Sequence, residues 1–261
     1  MTTNHRAPLS AVLITRNAAA QLDDSLASVA FCDEVVVVDC DSEDATAAVA
    51  ERHGARVIQS VWRGFGPQKQ FAVEQASHDW VLCIDADERV SEPLRESIIA
   101  VLSAPARCVP SGTFKAWRFA RCNKFMGRYL KHGEGYPDWS LRLFDRRAAR
   151  WSDDAVHEKV IASSEIGTLD GDLLHDSADS LESYFAKQNR YSSLAADAAL
   201  ALGKRASVGQ LLLSPALRFI KFYFFRLGLL DGLPGLVHIL VGCGASFAKY
   251  AKMLAFQRKS P

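Results

Sequence analysis

Short apolar runs alternate with amphipathic stretches through the first hundred residues, which is the pattern of strands followed by helices. Four apolar, partly β-branched runs predict strands at residues 11–15, 34–39, 56–59 and from Trp80 onward. Helices are predicted at residues 18–31, 43–53, 68–76 and 92–102, with Ser42 as the N-cap of the second helix. This alternation predicts βαβ units and a mostly parallel sheet, so the fold class is α/β.

The pattern changes after residue 113. The next stretch, to residue 160, is rich in aromatic residues, arginine and glycine, and strands are predicted there at 115–121 and 140–145. From Leu181 onward, helical patterns dominate. We therefore expect a catalytic domain at 9–180, with halves at 9–105 and 106–180, followed by a helical region at 181–261.

Two apolar segments, residues 211–230 and 232–248, stand out in the tail. The first carries Arg218, Lys221 and Arg226 but no acidic residue, a pattern typical of a helix that lies in a membrane interface. The second has about 17 residues, which is short for a membrane span of roughly 20. An in-plane or re-entrant segment is therefore preferred to a transmembrane helix. The alternative is a helical hairpin packed on the catalytic domain or on a second subunit, which would make a homo-oligomer.

Composition supports a globular, cytoplasmic protein. Of the 261 residues, 49% are apolar and 23% are charged, which predicts a packed core and excludes general disorder. The six cysteines form no CxxC pair, so neither a zinc site nor a disulfide framework is expected. No secretory signal is expected at the N-terminus. The net charge is +1, but from Lys204 onward nine Lys and Arg face the single acidic residue Asp231. This asymmetry predicts a separate partner for the tail, and no nucleic-acid partner is expected.

Polar residues stand at the ends of three predicted strands. The fourth strand leads into Asp85-Ala86-Asp87, whose two carboxylates would project to the same side if the strand continued. Such oxygen donors suit Mg²⁺ or Mn²⁺, which leave coordination positions open for substrate phosphates. Thr15 and Asp39 end two other strands. Since ligands of parallel sheets bind beyond the carboxyl ends of the strands, a site is expected at this edge. The ordinary alternative is an acidic turn without a ligand.

Several segments together resemble known glycosyltransferases. Three resemble the nucleotide-sugar half of family-2 glycosyltransferases: VLITRN (12–17), VVVDCDSEDAT (36–46) and LCIDADE (82–88). Four resemble the bacterial lipopolysaccharide-core β-glucosyltransferase subgroup: GFGPQKQFA (64–72), WSLRLF (139–144), VHEKV (156–160) and FAKYAK (247–252). The resemblance covers about residues 9–255. It implies the GT-A fold, a Rossmann-like, mostly parallel sheet with flanking helices. The helical extension that follows is expected from its own apolar and basic pattern to associate with the membrane.

The resemblance also implies a donor site. A nucleotide-diphosphate sugar, with UDP-glucose favoured, would bind to Thr15, Asn17, Asp39, Gln68, Lys69, Asp85 and Arg142. Asp39 would accept a hydrogen bond from the base, and Lys69 would offset the diphosphate charge. Asp87, together with Asp85, would hold the divalent cation. The chain departs from the family at Cys40-Asp41, where small polar residues are more usual, and at Gln70, where asparagine is more usual.

Inverting sugar transfer needs a base for the acceptor hydroxyl and an electrophile for the departing diphosphate. The candidate bases are Asp138, Asp153, Asp154 and Glu158. Glu158 is preferred because it follows His157 where the wider family carries an acidic pair, and Asp154 comes next. The alternative for Glu158 is an ion pair with a nearby Arg or Lys on a surface helix. His157 is expected to be a hydrogen-bonded structural residue, with a metal or diphosphate contact as its alternative. Arg128, Lys131 and His132 form a basic loop that suits an acidic glycolipid acceptor, unless the loop is simply solvated.

The leading hypothesis is an inverting, metal-dependent glycosyltransferase that moves a hexose to a lipid-linked saccharide such as the lipopolysaccharide inner core. It would be peripheral on the cytoplasmic face of the cell membrane. A polyprenyl-phosphate acceptor is the alternative within the class. A sugar-phosphate nucleotidyltransferase is disfavoured because no glycine follows the first strand at residues 15–18. A dinucleotide oxidoreductase is disfavoured because no GxGxxG motif follows any predicted strand. A non-catalytic membrane scaffold remains the non-enzymatic alternative.

Overall fold

The predicted strands lie side by side in one sheet. The computed structural model describes residues 6–103, 114–154, 158–176 and 180–259. These residues belong to two compact units, one drawn from residues 1–121 and 138–176, the other from 122–137 and 177–261. The sequence-based division at residue 180 did not place 122–137 with the C-terminal helices, because an aromatic, glycine-rich segment carries no local sign of what it packs against.

The described residues form a nine-stranded main sheet and a separate two-stranded one. The strands are β1 (Leu9–Thr15), β2 (Glu34–Asp39), β3 (Arg56–Gln59), β4 (Trp80–Cys83), β5 (Glu88–Val90), β6 (Ala116–Phe125), β7 (Arg128–Tyr129), β8 (Asp138–Asp145), β9 (Ala149–Trp151), β10 (Val160–Ala162) and β11 (Ile166–His175). The order in the main sheet is β3-β2-β1-β4-β8-β6-β11-β5, with β7 paired to β6, while β9 and β10 pair separately.

Strand direction divides the main sheet into two regions. The strands β3, β2, β1 and β4 are parallel, as the βα alternation predicts. The strand β8 runs antiparallel to β4 and to β6, and β11 runs antiparallel to β5. The sheet is therefore mixed. No crossover helix separates β6 from β8, and strands joined without a crossover pair in the antiparallel sense.

Four helices flank the parallel strands: α1 (Ala19–Ser28), α2 (Thr46–Arg52), α3 (Phe65–Gln75) and α4 (Glu92–Ser103). The helix α2 begins later than predicted because Ser42 does not cap it. The Ser42 hydroxyl instead donates to Asp39 Oδ1 at 2.6 Å. The helix α3 begins earlier than predicted, directly after Gly64, whose φ of +94° suits glycine.

The two faces of the sheet carry separate apolar cores. Alternate residues of the parallel strands contribute to opposite cores, as Val12 and Leu13 do in β1. One core contains Leu22 and Leu26 of α1 and Leu94 of α4, while the other contains Ala72 and Val73 of α3. Burying each of the larger aliphatic side chains contributes roughly 1.5–3 kcal/mol. The sheet edge that carries the predicted site is thus held from both faces.

The second unit is largely helical. It contains α5 (Leu181–Ala201), α6 (Val208–Ile220), a π-helical turn (Lys221–Phe225), a 3-10 turn (Gly228–Asp231) and α7 (Gly232–Lys259). The apolar run at 232–248 is thus part of one 28-residue helix. Its Pro234 lies in the first turn, where the missing N–H costs no hydrogen bond. Among the described residues, one helical stretch, Gly228–Arg258, is long and apolar enough to cross a membrane by length and composition alone.

Substitution of Gly171 in β11 tests how closely α4 packs on the sheet. Its φ is +97°, and a Cβ at this position would overlap the backbone of Leu94. We expect Gly171→Ala to lower the free energy of unfolding by at least about 1–2 kcal/mol in urea denaturation. Gly244→Ala is the control, because no atom lies within 4 Å of its Cβ position. Equal stability of the two variants would contradict this account.

Candidate active site

A cavity of about 560 Å³ opens at the carboxyl ends of β1 and β4. Its walls combine acidic, basic, amide and aromatic side chains. The residues that line it are Ile14, Thr15, Arg16, Asn17, Ala18, Gln21, Trp62, Phe65, Lys69, Asp85, Ala86, Asp87, Glu158 and His175. The structure therefore gathers six of the residues chosen from the sequence, namely Thr15, Asn17, Lys69, Asp85, Asp87 and Glu158.

The two carboxylates of the Asp85-Ala86-Asp87 segment have different surroundings. The strand β4 ends at Cys83, and Glu88 N–H donates to Asp85 O at 3.0 Å, which closes a turn. The alternation expected of a continuing strand therefore does not apply. Asp85 lies within a network of cationic side chains, whereas Asp87 lies beside a histidine.

Asp85 is held by two cations. Its Oδ1 lies 3.0 Å from Lys69 Nζ, and its Oδ2 accepts from Arg142 Nη2 at 2.9 Å. Burial opposes the ionisation of Asp85, but the charges of Arg142 and Lys69 outweigh burial and hold its pKa well below the ordinary value. Arg142 also donates to the buried Glu88 at 3.3 Å. Burial would lower the pKa of Arg142, yet Glu88 and Asp85 raise it above its ordinary value.

Lys69 joins Asp85 to the preferred base. Its Nζ donates to Glu158 Oε1 at 3.2 Å and lies 4.9 Å from the centre of the Trp151 ring. Residue 66 of α3 is glycine, and a Cβ there would overlap the carbonyl oxygen of Ser152 and lie 3.1 Å from that of Asp154. The absence of a side chain at position 66 thus lets the backbone after β9 pack against α3, with Glu158 Cβ at 3.4 Å from the Cβ position.

Asp87 and His175 form a second pair, with Asp87 Oδ2 3.2 Å from His175 Nε2. His175 is not among the residues predicted from the sequence, because it ends β11 far along the chain and belongs to no local motif. The Asp87 carboxylate suits Mg²⁺ or Mn²⁺, whereas the imidazole would favour Mn²⁺ of the two, since Mg²⁺ takes oxygen ligands. The remaining coordination positions would be open to water and phosphate oxygens. Within the described ranges, no three His, Cys, Asp or Glu side chains are grouped to hold a metal ion.

The ends of β1 and β2 are joined by side-chain hydrogen bonds. Asp39 accepts from the Thr15 hydroxyl at 2.8 Å and from Ser42 N–H at 3.1 Å. Asn17, with a φ of +50°, accepts from Glu43 N–H at 2.8 Å. Thr15 and Asn17 line the cavity, whereas Asp39 is buried behind them.

Gln68 is completely buried and does not line the cavity. Its Nε2 donates to Cys40 Sγ at 3.1 Å. The pKa of the Cys40 thiol is raised, first by burial and then by the charges of Asp39 and Asp41. Cys40, one of the positions where the chain departs from the family, therefore contacts Gln68.

The other predicted bases lie outside the cavity. Asp138 forms an ion pair with Arg121 at 2.7 Å, and Asp153 forms one with Arg150 at 3.5 Å. Asp154 is exposed. Of the four predicted bases, all in the described ranges, Glu158 is the one that lines the cavity. His157 lies outside the described residues.

The predicted acceptor loop belongs to the second unit. Arg128 donates to the carbonyl of Leu230 at 3.1 Å. The buried Asp231 accepts from the backbone N–H of Lys131 at 3.3 Å and of His132 at 2.8 Å, and lies 3.1 Å from His132 Nδ1. His132 is therefore held by a buried carboxylate, which gives it a structural role whether or not the loop binds an acceptor.

A family model described as glycosyl transferase family 2 matches residues 10–151. The chain belongs to this family. It is 34% identical over 254 residues to the lipopolysaccharide core biosynthesis glycosyltransferase LpsC of Rhizobium meliloti, covering 94% of this chain and 92% of LpsC. It is 29% identical to an uncharacterized glycosyltransferase of Rickettsia typhi, covering 97% of this chain and 88% of that protein.

Two solved structures share the fold. S. aureus TarS (residues 1–349, in complex with UDP) has a TM-score of 0.50 and 15% identity, covering 97% of this chain and 92% of TarS. The mannosyltransferase PcManGT of Pyrobaculum calidifontis, in complex with GDP-Man and Mn²⁺, has a TM-score of 0.50 and 16% identity, covering 98% of this chain and 76% of PcManGT. The predicted family and the predicted GT-A fold are confirmed.

Arg142 is the residue whose removal tests the charge network. We expect Arg142→Gln to lower the free energy of unfolding by about 3 kcal/mol, because Glu88 and Asp85 would lose a buried counter-charge. The control is Arg150→Gln, since the exposed pair of Arg150 with Asp153 contributes less than about 1 kcal/mol. Urea denaturation measures both. The network would have no such role if the two variants were equally stable.

Proposed function

We propose that the chain is an inverting, metal-dependent hexosyltransferase that moves glucose from UDP-glucose to a lipid-linked saccharide such as the lipopolysaccharide inner core. One observation carries this proposal: Glu158, Lys69 and the pair of Asp87 with His175 line the same cavity at the carboxyl edge of the sheet. The name of LpsC, which refers to lipopolysaccharide core biosynthesis, supports the acceptor class. The UDP bound to TarS supports a nucleotide donor.

Glu158 would take the proton of the acceptor hydroxyl. The acceptor oxygen then forms a bond to the anomeric carbon as the bond from that carbon to the diphosphate oxygen breaks, and the single displacement inverts the configuration. Lys69, within 3.2 Å of Glu158, keeps the carboxylate oriented and contributes positive charge beside the departing diphosphate. Base catalysis of this kind typically contributes a factor of about 10²–10⁴ to the rate.

Asp87 and His175 would hold the divalent cation, whose charge stabilises the diphosphate as it departs. The Mn²⁺ of PcManGT, in complex with GDP-Man, supports a metal in this family. Binding of the same ion by Asp85 would place a third cation against a carboxylate whose two oxygens already contact Lys69 and Arg142. We therefore assign Asp85 first to the positioning of Lys69.

The donor residues divide into two groups. Thr15, Asn17 and Lys69 line the cavity and would contact the nucleotide sugar directly. Asp39, Gln68 and Arg142 are buried and would act through the residues they hold. Asp39 fixes Thr15, and Arg142 fixes Asp85.

Two substitutions test the proposed base and the proposed metal ligand separately. With UDP-glucose, Mn²⁺ and core-truncated lipopolysaccharide, we expect Glu158→Gln to lower kcat at least about 100-fold without weakening UDP binding. We expect Asp87→Asn to abolish the Mn²⁺-dependent rise in melting temperature that UDP-glucose produces. UDP release and thermal shift are the measurements.

Asp153→Asn is the control, because Asp153 is exposed and outside the cavity. Full activity of Glu158→Gln would place the base elsewhere. If the unsubstituted chain released no UDP and was stabilised by no nucleotide sugar, the proposed function itself would be wrong.

We also propose that the second unit docks on the anionic cytoplasmic face of the membrane. Leu212, Leu213 and Leu217 of α6 are each 62% exposed, and Phe225 in the π-helical turn is 81% exposed. We call these four residues the α6 surface. From Lys204 onward the only acidic residue, Asp231, is buried, so basic charge faces the solvent there. Each well-placed Lys or Arg adds roughly 1 kcal/mol of attraction to anionic lipids.

Vesicle binding tests the α6 surface. We expect the chain to sediment with phosphatidylglycerol vesicles. Leu213→Glu/Leu217→Glu should lose most of that binding, because two exposed apolar side chains that would enter the lipid become charged. Ile161→Glu, on an exposed strand residue of the first unit, is the control. A lipid-free dimer that the double substitution dissociates, with no vesicle binding by the unsubstituted chain, would instead make the surface a subunit interface.

A further inference from the structure

Two aromatic side chains at the cavity remain exposed. Trp62 is 46% exposed and Phe65 is 52% exposed, and both line the cavity. Their rings meet edge to face, with centroids 4.8 Å apart and planes at 85°. Large aromatic groups carry much apolar surface, and a pair left open to solvent at the wall of a polar cavity indicates a ligand that covers it.

The backbone fixes this pair without burying it. Ser60 N–H donates to Asp39 O at 2.9 Å, which ties the start of the connection between β3 and α3 to β2. The Arg63 guanidinium lies 4.0 Å from the centre of the Phe71 ring. Gly64 turns the chain into α3, and its carbonyl accepts from Gln68 N–H at 2.9 Å. The aromatic surface is thus formed before any ligand binds, which lowers the entropy cost of binding.

The pair lies next to the proposed base. Phe65 and Lys69 are four residues apart on α3 and so share a helix face, and Lys69 contacts Glu158. Gly66, adjacent to Phe65, packs against the segment that carries Glu158. A base must come within about 2.6–3.2 Å of the hydroxyl that it deprotonates. The acceptor ring that bears this hydroxyl must therefore lie beside Glu158, in the cavity that Phe65 also lines.

The angle between the rings favours a sugar over a nucleobase. Trp62 and Phe65 meet at a near right angle, so they cannot hold a planar nucleobase between two parallel faces. A pyranose ring is not planar, and it combines an apolar C–H face with hydroxyls around its edge. Polar side chains that could bind such hydroxyls, Arg16 and Gln21, line the same cavity.

We propose that Trp62 and Phe65 bind the C–H face of the terminal pyranose ring of the acceptor saccharide. This inference rests on the proposed function. It makes the pair a determinant of acceptor affinity, separate from donor binding and from the base.

The test compares Trp62→Ala and Phe65→Ala in three measurements with UDP-glucose and Mn²⁺. The measurements are the Kd for UDP, the rate of UDP-glucose hydrolysis without acceptor, and the KM for core-truncated lipopolysaccharide. We expect KM to rise about tenfold in each variant, and the other two quantities to stay within about twofold. Trp62→Phe should restore most of the affinity, and Val61→Ala, an exposed apolar neighbour outside the cavity, should change nothing.

Each other outcome has a definite meaning. A tenfold weaker Kd for UDP with an unchanged KM would make the pair a donor clamp and overturn the proposal, as would unchanged values throughout. If the alanine variants do not fold, the tryptophan fluorescence change on adding the lipopolysaccharide decides: the proposal requires that Trp62→Phe abolish it.

If the unsubstituted chain hydrolyses UDP-glucose but transfers nothing to the lipopolysaccharide, the acceptor class of the proposed function fails, and this inference fails with it. Absence of both reactions would mean that the enzyme class is wrong.

Discussion

Arg142 is the side chain on which the site depends. It lies on β8, the strand that reverses the direction of the sheet, and it places a buried positive charge between Asp85 and Glu88. Lys69 extends this series of alternating charges from Asp85 to Glu158. Without the two cations, three carboxylates would repel one another in a partly buried region, and at least one would take up a proton. The switch from parallel to antiparallel strands thus makes the acidic turn possible.

This network explains why two aspartates separated by one residue differ. Asp85 is used to hold Lys69, and through it Glu158, whereas Asp87 faces His175. If both carboxylates coordinated one ion, that ion would be a third cation against Asp85 and would compete with the Lys69 contact that extends to Glu158. The turn from Asp85 to Glu88 instead directs the two aspartates to different partners and fixes their spacing.

The sequence predicted those features that depend on local pattern. The bounds of β2 and β3 match the structure, since runs of β-branched residues between turn residues are decided locally. The start of α2 was missed because the Ser42 hydroxyl donates to Asp39, a competition that spacing does not reveal. His175 was missed for a similar reason: β11 pairs with β5, and only this long-range pairing brings His175 to Asp87. Local periodicity contains no information about such partners.

The first two turns of α3 connect the parts of the site. Gly64 sets the direction of the helix, Phe65 faces the cavity, and Gly66 allows the segment of Glu158 to approach. One turn later, Lys69 reaches Asp85 and Glu158. Because Phe65 and Lys69 share α3, a shift of this helix would move the Phe65 wall of the cavity together with the Lys69 ammonium that contacts Asp85 and Glu158. The close spacing of glycine, aromatic and lysine residues therefore has a mechanical reason: one helix positions both the aromatic wall and the charge network.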